Sequence, residues 1–392
     1  MTTTASYATA IADGLLARNE ESDSFFAREA HRLAVACEEM SARFLRGGRL
    51  LAFGRGASAT DAQHVSVEFV HPVIVGKRAL PALDLSIAFS EWAPAICTRD
   101  DIAMGFAPPS GDPAVRATLA ELRRIGAQTF ALSGGDADLS LDSPSADPFI
   151  AQEIIEILYH TLWETVHVFF EHNEQGHDVG SAGFLYPFLG REKQDTSGVR
   201  ESVAESIRTK AGDVARLREQ VAGSQSEQIS MATRAIWKAL RAGGKLILLG
   251  NGGSATDAND WALDCVAPPK GYRPVPAVSL SMEPANISAI ANDIGADAMF
   301  LRQLIAQAAP HDVVVALSTS GGSSSIMAAL LEARKRRMPT VALVGYDGGE
   351  IVRRGLADFP VVVTSDYVPR IQEVQASVYH VMRDMLQVFA NE

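Results

Sequence analysis

GGRLLAFGRGASATDA at residues 47–62 and GGKLILLGNGGSATDA at residues 243–258 are two versions of one phrase. Gly54 corresponds to Gly250, so the phrase recurs 196 residues later along the chain, from 54 to 250. A phrase that repeats at a fixed offset indicates an internal duplication. We therefore expect this chain of 392 residues to contain two copies of one domain, each about 200 residues long.

Composition excludes several classes of function. The formal net charge of −12 argues against a nucleic-acid partner, while a local positive site for a small anion stays compatible with it. Three widely spaced cysteines do not form a disulfide framework and are typical of a reducing cytoplasm. No run approaches the roughly 18 apolar residues of a membrane span, and no export signal is visible. We expect a cytoplasmic protein without a membrane partner.

Short apolar runs alternate with helical patterns in both halves, which predicts an α/β fold with a parallel sheet covered on both faces. The predicted strands are Arg49–Phe53, Ile102–Phe106, Thr129–Leu132, Lys245–Leu249, Ala277–Leu280, Val313–Leu317 and Thr340–Val344. Amphipathic helices are predicted at 26–46 and 203–241 before the first strand of each half, and at about 149–171 and 368–391 at its end. The pattern predicts domains over residues 1–171 and 199–392, joined by a linker over 172–198.

Two loops of the second copy have the composition of a phosphate site. The strand ending at Leu249 runs into Gly250-Asn251-Gly252-Gly253-Ser254, which presents backbone N–H groups and a helix start to an anion. Alone, this turn is equally well explained as a tight structural turn. A second loop, Ser318–Ser325, has more hydroxyls than helix capping needs. Together they predict a site for the phosphate ester of a small molecule.

The first copy has lost much of this pattern. Its second loop, Pro108–Pro113, has prolines in place of donors and an aspartate that would repel phosphate, and retains only Ser110 and Gly111. Arg55 either restores positive charge or is a solvated surface arginine; the sequence favours neither. We predict that this loop is degraded.

The first copy instead carries a set of metal-ligating and acid-base residues. His64 and Glu68 are four residues apart and share a helix face, as do Gln152 and His160, eight apart. Nitrogen and oxygen ligands of this kind suit zinc. An ion pair at the surface and a core histidine are the plainer interpretations of the same residues.

The second copy repeats Gln372 and His380 at the same spacing, but has Asp260 and Asp264 where the first copy has histidine and glutamate. Two changed ligands with shorter side chains argue against a second identical metal site.

Three motifs, at residues 250–258, 318–321 and 370–374, resemble those of the phosphoheptose isomerases of the sugar isomerase (SIS) domain family. The resemblance covers most of residues 200–392 and, more weakly, 5–171. It implies two SIS-type domains, each a five-stranded parallel sheet flanked by helices. It further implies a homo-oligomeric isomerase that interconverts a ketose and an aldose phosphate through a cis-enediol, with zinc or another divalent metal as cofactor.

The same resemblance implies roles for individual residues. The phosphate ligands would be Asn251, Ser254, Ser318, Thr319, Ser320 and Ser323. The metal ligands would be His64, Glu68, Gln152 and His160, of which Glu68 and His160 would also be the base and the acid-base. The corresponding residues of the second copy are Asp260, Asp264, Gln372 and His380, a departure at two positions.

Several alternatives stay open. The better phosphate loop and the better acid-base set lie in different copies, so the halves either combine into one working site or the first copy binds substrate through Ser58, Ser110 and Arg55. Beside an isomerase of sedoheptulose 7-phosphate stands a regulatory protein that senses phosphosugars without turning them over. The two-domain isomerase of amino-sugar synthesis is disfavoured, because no glutamine-hydrolysing segment precedes the first copy.

Overall fold

The computed structural model describes residues 4–74, 77–173 and 196–392. Positions 174–195, most of the predicted linker, lie outside the described residues. Among the helices of the described part of the chain, none combines the length and the apolar character needed to cross a bilayer.

Two parallel sheets of five strands each form the framework, which confirms the predicted α/β class. The first has the order β2-β1-β3-β4-β5 and the second the order β10-β9-β8-β6-β7. The strands are β1 Leu50–Phe53, β2 Ala82–Asp84, β3 Ile102–Phe106, β4 Gln128–Leu132, β5 Leu139–Leu141, β6 Leu246–Leu249, β7 Ala277–Ser279, β8 Val313–Ser318, β9 Thr340–Gly345 and β10 Phe359–Val363. All predicted strands are present within one residue at each end, and β2, β5 and β10 are additions.

Helices flank both sheets. They are α1 Thr4–Leu45, α2 Ser58–Val70, α3 Phe89–Ile96, α4 Pro113–Ile125, α5 Pro148–Asn173, α6 Thr196–Arg241, α7 Gly253–Val266, α8 Pro284–Asp293, α9 Met299–Gln307, α10 Ser324–Lys335, α11 Gly349–Arg353 and α12 Val368–Asn391, with a 3₁₀ turn at Ala296–Ala298. The two opening helices, α1 and α6, begin well before their predicted starts.

The chain divides into two compact units whose composition does not follow the sequence order. One unit, here the β1–β5 unit, comprises Glu20–Asp213. The other, the β6–β10 unit, comprises Met1–Asn19 and Val214–Glu392. The first part of α1 therefore belongs to the β6–β10 unit and its later part to the β1–β5 unit. The first part of α6 belongs to the β1–β5 unit and its later part to the β6–β10 unit. The domain bounds 1–171 and 199–392 stay a prediction.

Continuous apolar strands form the two cores. Every residue of β3 and β8 is buried, because parallel strands are covered on both faces by helices. Ile247, Val314 and Ile326 lie in the core of the β6–β10 unit, and burial of such side chains contributes about 1.5–3 kcal/mol each.

The duplication extends to individual hydrogen bonds. In the β1–β5 unit, the Asp138 carboxylate accepts hydrogen bonds from the backbone N–H of Thr129 at 2.9 Å and from its hydroxyl at 3.0 Å. In the β6–β10 unit, Asp358 accepts the same two bonds from Thr340, at 3.0 and 2.9 Å. The two copies therefore share backbone geometry even where their sites differ.

Candidate active site

The glycine loop after β6 requires glycine for steric reasons. A Cβ atom on Gly250 would lie 2.1 Å from the carbonyl oxygen of Ser254, closer than any real contact. Gly252 has φ +57, a left-handed conformation that glycine adopts without strain. The chain thereby turns directly from β6 into α7, and Asn251 and Ser254 are set at the carboxyl end of the strand.

The serine loop after β8 is held by its own hydroxyls. The Ser318 hydroxyl accepts a hydrogen bond from Gly321 N–H at 3.2 Å, and the Ser320 hydroxyl accepts one from Gly322 N–H at 3.2 Å. Gly345 N–H donates to the carbonyl of Thr319 at 2.9 Å. Within the described residues, Ser323 at the start of α10 makes no side-chain cap hydrogen bond. Since the first N–H groups of a helix have no partner inside it, this helix start offers donors to an anion.

The two loops are neighbours. β6 and β8 are adjacent in the sheet, and the chain leaves them in opposite directions along it. The Asn251 amide nitrogen donates to the Ser325 hydroxyl at 3.2 Å, which joins the glycine loop to α10. In open parallel sheets, ligands bind in the crevice at such a switch point. All six predicted phosphate ligands lie on these two loops or at the helix starts that follow them.

The first copy fills the equivalent helix start with a carboxylate. Asp112 caps α4 and accepts hydrogen bonds from Ala114 N–H at 2.8 Å and Val115 N–H at 3.0 Å. The side chain of Ser110 makes no hydrogen bond in the described structure, while its carbonyl accepts one from Arg116 at 3.4 Å. The backbone donors of Ala114 and Val115 at this helix start are therefore already engaged by the protein.

Arg55 lies in the first glycine loop with its guanidinium carbon 5.4 Å from the centre of the Phe89 ring. This is a cation–π distance. Ser58 begins α2 in the same loop. The arginine is exposed to solvent and packs against an aromatic face.

Helices α2 and α5 bring together the acid-base residues of the first copy. The Nε2 atoms of His64 and His160 are 3.3 Å apart, and His64 Nε2 is 3.9 Å from Glu68 Oε1. All three side chains are buried, and their ligand atoms lie within 4.8 Å of one another. Two nitrogens on one tetrahedral zinc ion lie about 3.3 Å apart, given Zn–N bonds of about 2.0–2.1 Å. The donor set and the spacing therefore fit zinc.

The fourth predicted ligand, Gln152, lies on α5, about two turns before His160. Its amide nitrogen donates to the carbonyl of Ala57 at 3.4 Å and to Asp61 Oδ2 at 3.3 Å. These bonds place the amide beside the N-terminal turn of α2, one turn before His64.

The second copy forms a different buried cluster at the equivalent place. His380 Nε2 is 3.2 Å from Asp264 Oδ2 and 3.5 Å from Asp260 Oδ2. The Tyr379 hydroxyl donates to Asp260 Oδ2 at 2.8 Å. Gln372 is buried on the same helix. Two carboxylates and one imidazole within 4.8 Å also form a set that a metal ion accepts.

The carboxylates of this second cluster lie close to each other and to a buried arginine. Burial, and next the Asp260 carboxylate, raise the pKa of Asp264 to about 7, against the opposing effects of His380 and Arg383. Arg383 is fully buried and donates from Nε to the backbone carbonyl of Asp264 at 3.1 Å. The second copy therefore has a buried cation next to its carboxylates.

Sequence reasoning missed Tyr379 and Arg383. A signal for the tyrosine was present, because a tyrosine precedes the histidine of the closing helix in both copies, at Tyr159 and Tyr379. In the first copy the Tyr159 ring packs against the His64 ring, with centroids 5.1 Å apart.

Comparisons with known proteins agree with this fold. The SIS domain family model matches residues 211–345. The phosphoheptose isomerase of Geobacter sp. (strain M21) is 42% identical over 166 residues, which cover 42% of this chain and 85% of that protein. The phosphoheptose isomerase of Citrifermentans bemidjiense is 40% identical over 166 residues, with the same coverage of 42% and 85%.

A solved structure resembles the whole chain. It is the C-terminal domain of glucosamine-fructose-6-phosphate aminotransferase from Francisella tularensis, with a TM-score of 0.59 over 96% of this chain and 96% of that one. At 8% identity, this likeness concerns the fold alone. The chain matches a phosphoheptose isomerase at 42% identity over 85% of that protein's length. It therefore belongs to the SIS domain family, and its relatives there include phosphoheptose isomerases.

Proposed function

We propose that the chain is a sugar-phosphate aldose–ketose isomerase and that its substrate is sedoheptulose 7-phosphate. The observation that carries the proposal is the buried set of His64, Glu68 and His160, which a protein that only binds sugars does not need. The relatives named phosphoheptose isomerase support the same class of reaction.

The phosphate group is assigned to the β6–β10 unit. Its proposed ligands are Asn251, Ser254, Ser318, Thr319, Ser320 and Ser323. The helix start at Ser323 has no side-chain cap in the described structure and offers backbone N–H groups, while the neighbouring hydroxyls add neutral donors. A dianionic phosphate suits such donors better than a neutral sugar hydroxyl does.

The proton transfers are assigned to the β1–β5 unit. In the ketose-to-aldose direction, Glu68 takes a proton from C1 to give a cis-enediol and returns it to C2. His160 moves the second proton between the two oxygens. Both side chains are buried, so water competes little with these transfers.

His64, Glu68, Gln152 and His160 are the proposed zinc ligands of this unit. A bound divalent ion would polarise the sugar carbonyl as a Lewis acid. Glu68 is both a proposed zinc ligand and the proposed base, as the resemblance implies. Asp260, Asp264, Gln372 and His380 are secondary candidates only, since Tyr379 already donates to the Asp260 carboxylate and the buried Arg383 cation binds the backbone carbonyl of Asp264.

An isomerisation assay on sedoheptulose 7-phosphate tests the proposal. We expect turnover by the wild type, a loss of about 100-fold or more in kcat for Glu68→Gln, and a raised KM for Ser320→Ala. Matched controls come from the other copy: Asp264→Asn corresponds to Glu68→Gln, and Ser110→Ala corresponds to Ser320→Ala. Both controls should retain most of the activity. A wild type without turnover on metal-replete protein would overturn the proposal.

A phosphosugar sensor is the second candidate. It is favoured by one observation, the replacement of the histidine and glutamate of the first copy by Asp260 and Asp264 in the second, where Tyr379 and His380 engage them. Binding of sedoheptulose 7-phosphate without any turnover would support this function over the isomerase.

We further propose a homo-oligomer, as the resemblance implies. Light scattering should give a mass that is a multiple of 41.9 kDa. A single species at the mass of one chain would contradict it.

A further inference from the structure

A chain of hydrogen bonds anchors the second glycine loop from outside. The Ser279 hydroxyl donates to Asn259 Oδ1 at 2.7 Å, and Ser281 N–H donates to the Ser279 hydroxyl oxygen at 3.1 Å. Gly250 N–H then donates to the Ser281 hydroxyl oxygen at 3.1 Å, and that hydroxyl donates to the Gly250 carbonyl at 2.9 Å. Asn259 lies on α7 and Ser279 ends β7, so the chain connects a helix to the loop through the edge strand.

This anchor determines the direction of the next peptide. In a trans peptide unit, the carbonyl and the following N–H point opposite ways. Because Ser281 binds the carbonyl of Gly250, the N–H of Asn251 points away from Ser281. Gly250 cannot carry a side chain of its own, so the loop depends on such an external contact.

The anchored loop leads directly to the proposed phosphate ligands. The Asn251 side chain donates to the Ser325 hydroxyl at 3.2 Å, in the first turn of α10. Hydrogen bonds therefore run from Asn259 through Ser279 and Ser281 to Gly250, and the next residue along the chain, Asn251, makes the contact with the start of α10.

In the first copy, Ser86 also accepts a hydrogen bond from the glycine loop, but its hydroxyl donates to a different group. Gly54 N–H donates to the Ser86 hydroxyl oxygen at 3.2 Å, as in the second copy. Asp84 replaces the serine that ends the edge strand, and the Ser86 hydroxyl donates to its carboxylate at 2.5 Å. The hydroxyl proton of Ser86 is thus directed to Asp84, whereas that of Ser281 is directed to the glycine carbonyl.

We propose that Ser281 is a positioning residue for phosphosugar binding, acting through both backbone polar groups of Gly250. The proposal rests on the proposed function, since it assumes that the loops of the β6–β10 unit hold the phosphate. Ser281 does not touch the ligand itself; it orients the peptide that precedes Asn251.

Calorimetric titration with sedoheptulose 7-phosphate tests this role, with Ser86→Ala as the matched control. We expect Ser281→Ala to bind about tenfold more weakly, the effect of about one hydrogen bond, and Ser281→Thr, which keeps the hydroxyl, to recover most of the affinity. Ser86→Ala should bind within about twofold of the wild type. Hydrogen exchange should rise at residues 250–254 in Ser281→Ala only, and at residues 54–58 in Ser86→Ala only. If Ser281→Ala does not fold, Ser279→Ala removes the preceding link and is measured in the same way.

The outcomes separate the two proposals. Equal binding by Ser281→Ala and the wild type, or equal weakening by Ser281→Ala and Ser86→Ala, overturns the positioning role and leaves the proposed function standing. A wild type that does not bind the sugar phosphate overturns both.

Discussion

The imidazole rings of His64 and His160 meet with their Nε2 atoms 3.3 Å apart, although 96 positions separate them in the sequence. Helix α2 supplies one ring and α5 the other, and both rings are buried. Two imidazole nitrogens at this separation suit one tetrahedral ion.

Zinc binding should therefore depend on the residues of the first copy. We expect His64→Ala to lose most of the zinc measured by elemental analysis of purified protein. Asp260→Ala, at the corresponding position of the second copy, should keep the wild-type zinc content. Equal loss in the two variants, or full retention in His64→Ala, would contradict the assignment.

The cap of α4 should contribute measurably to stability. Asp112→Ala removes two hydrogen bonds to backbone N–H groups, and we expect it to cost about 1 kcal/mol in the free energy of unfolding. Ser323→Ala is the matched control, because Ser323 makes no side-chain cap bond in the described structure. Urea denaturation of the two variants measures the difference. A loss in the free energy of unfolding for Ser323→Ala as large as that for Asp112→Ala would contradict the prediction that the Asp112 cap stabilises α4 and that Ser323 gives α10 no such cap.

The glycine at the end of β6 should tolerate no side chain. A Cβ on Gly250 meets the Ser254 carbonyl at 2.1 Å, so Gly250→Ala should destabilise the protein by about 2–4 kcal/mol. Gly223 lies inside α6 with no atom within 4 Å of its Cβ position, and Gly223→Ala should stabilise by about 0.5–1 kcal/mol. Thermal melting of the pair is the test. A Gly250→Ala variant as stable as the wild type would show that the loop can shift.

Asp84 should make stability depend on pH. Burial raises its pKa above the usual value, against the hydrogen bonds from Ser86. The unfolded chain releases this proton near pH 4, whereas the folded chain retains it to higher pH. The native state then binds more protons, so stability is lost as pH rises from about 4 through the raised pKa.

Replacement of Asp84 by asparagine should remove that loss. We expect the free energy of unfolding of Asp84→Asn, relative to the wild type, to increase between about pH 4 and pH 7. Glu91→Gln, at an exposed carboxylate of α3, controls for the loss of one charge. Parallel pH curves for Asp84→Asn and the wild type would be inconsistent with the raised pKa.

Apolar runs and glycine loops made most of the fold predictable from sequence. Strands β1, β3, β6, β8 and β9 are continuous apolar segments and were predicted within a residue or so at each end. β2 and β5 have three residues each, too few to show a periodicity. β10 is apolar, but it contains a proline at its second position, which argues against a strand in a sheet interior.

Part of the arrangement at the candidate site was predictable from spacing. Spacing placed His64 and Glu68 on one helix face, the resemblance grouped them with His160, and the three side chains lie close together in the structure. The serine loop precedes a helix, as predicted. Ser281 was missed because a single serine after a strand is common, yet its repetition as Leu85-Ser86 and Leu280-Ser281 was visible. The buried partners Tyr379 and Arg383 depend on which helix faces pack together, which one sequence does not specify.

The division of α1 and α6 between the two units limits how the chain can be shortened. Met1–Asn19 belong to the β6–β10 unit, and Thr196–Asp213 belong to the β1–β5 unit. A deletion of either copy would leave the survivor without part of its own structure. The sequence copies and the compact units are therefore different divisions of the chain, and a cut between residues 171 and 199 would leave neither unit intact.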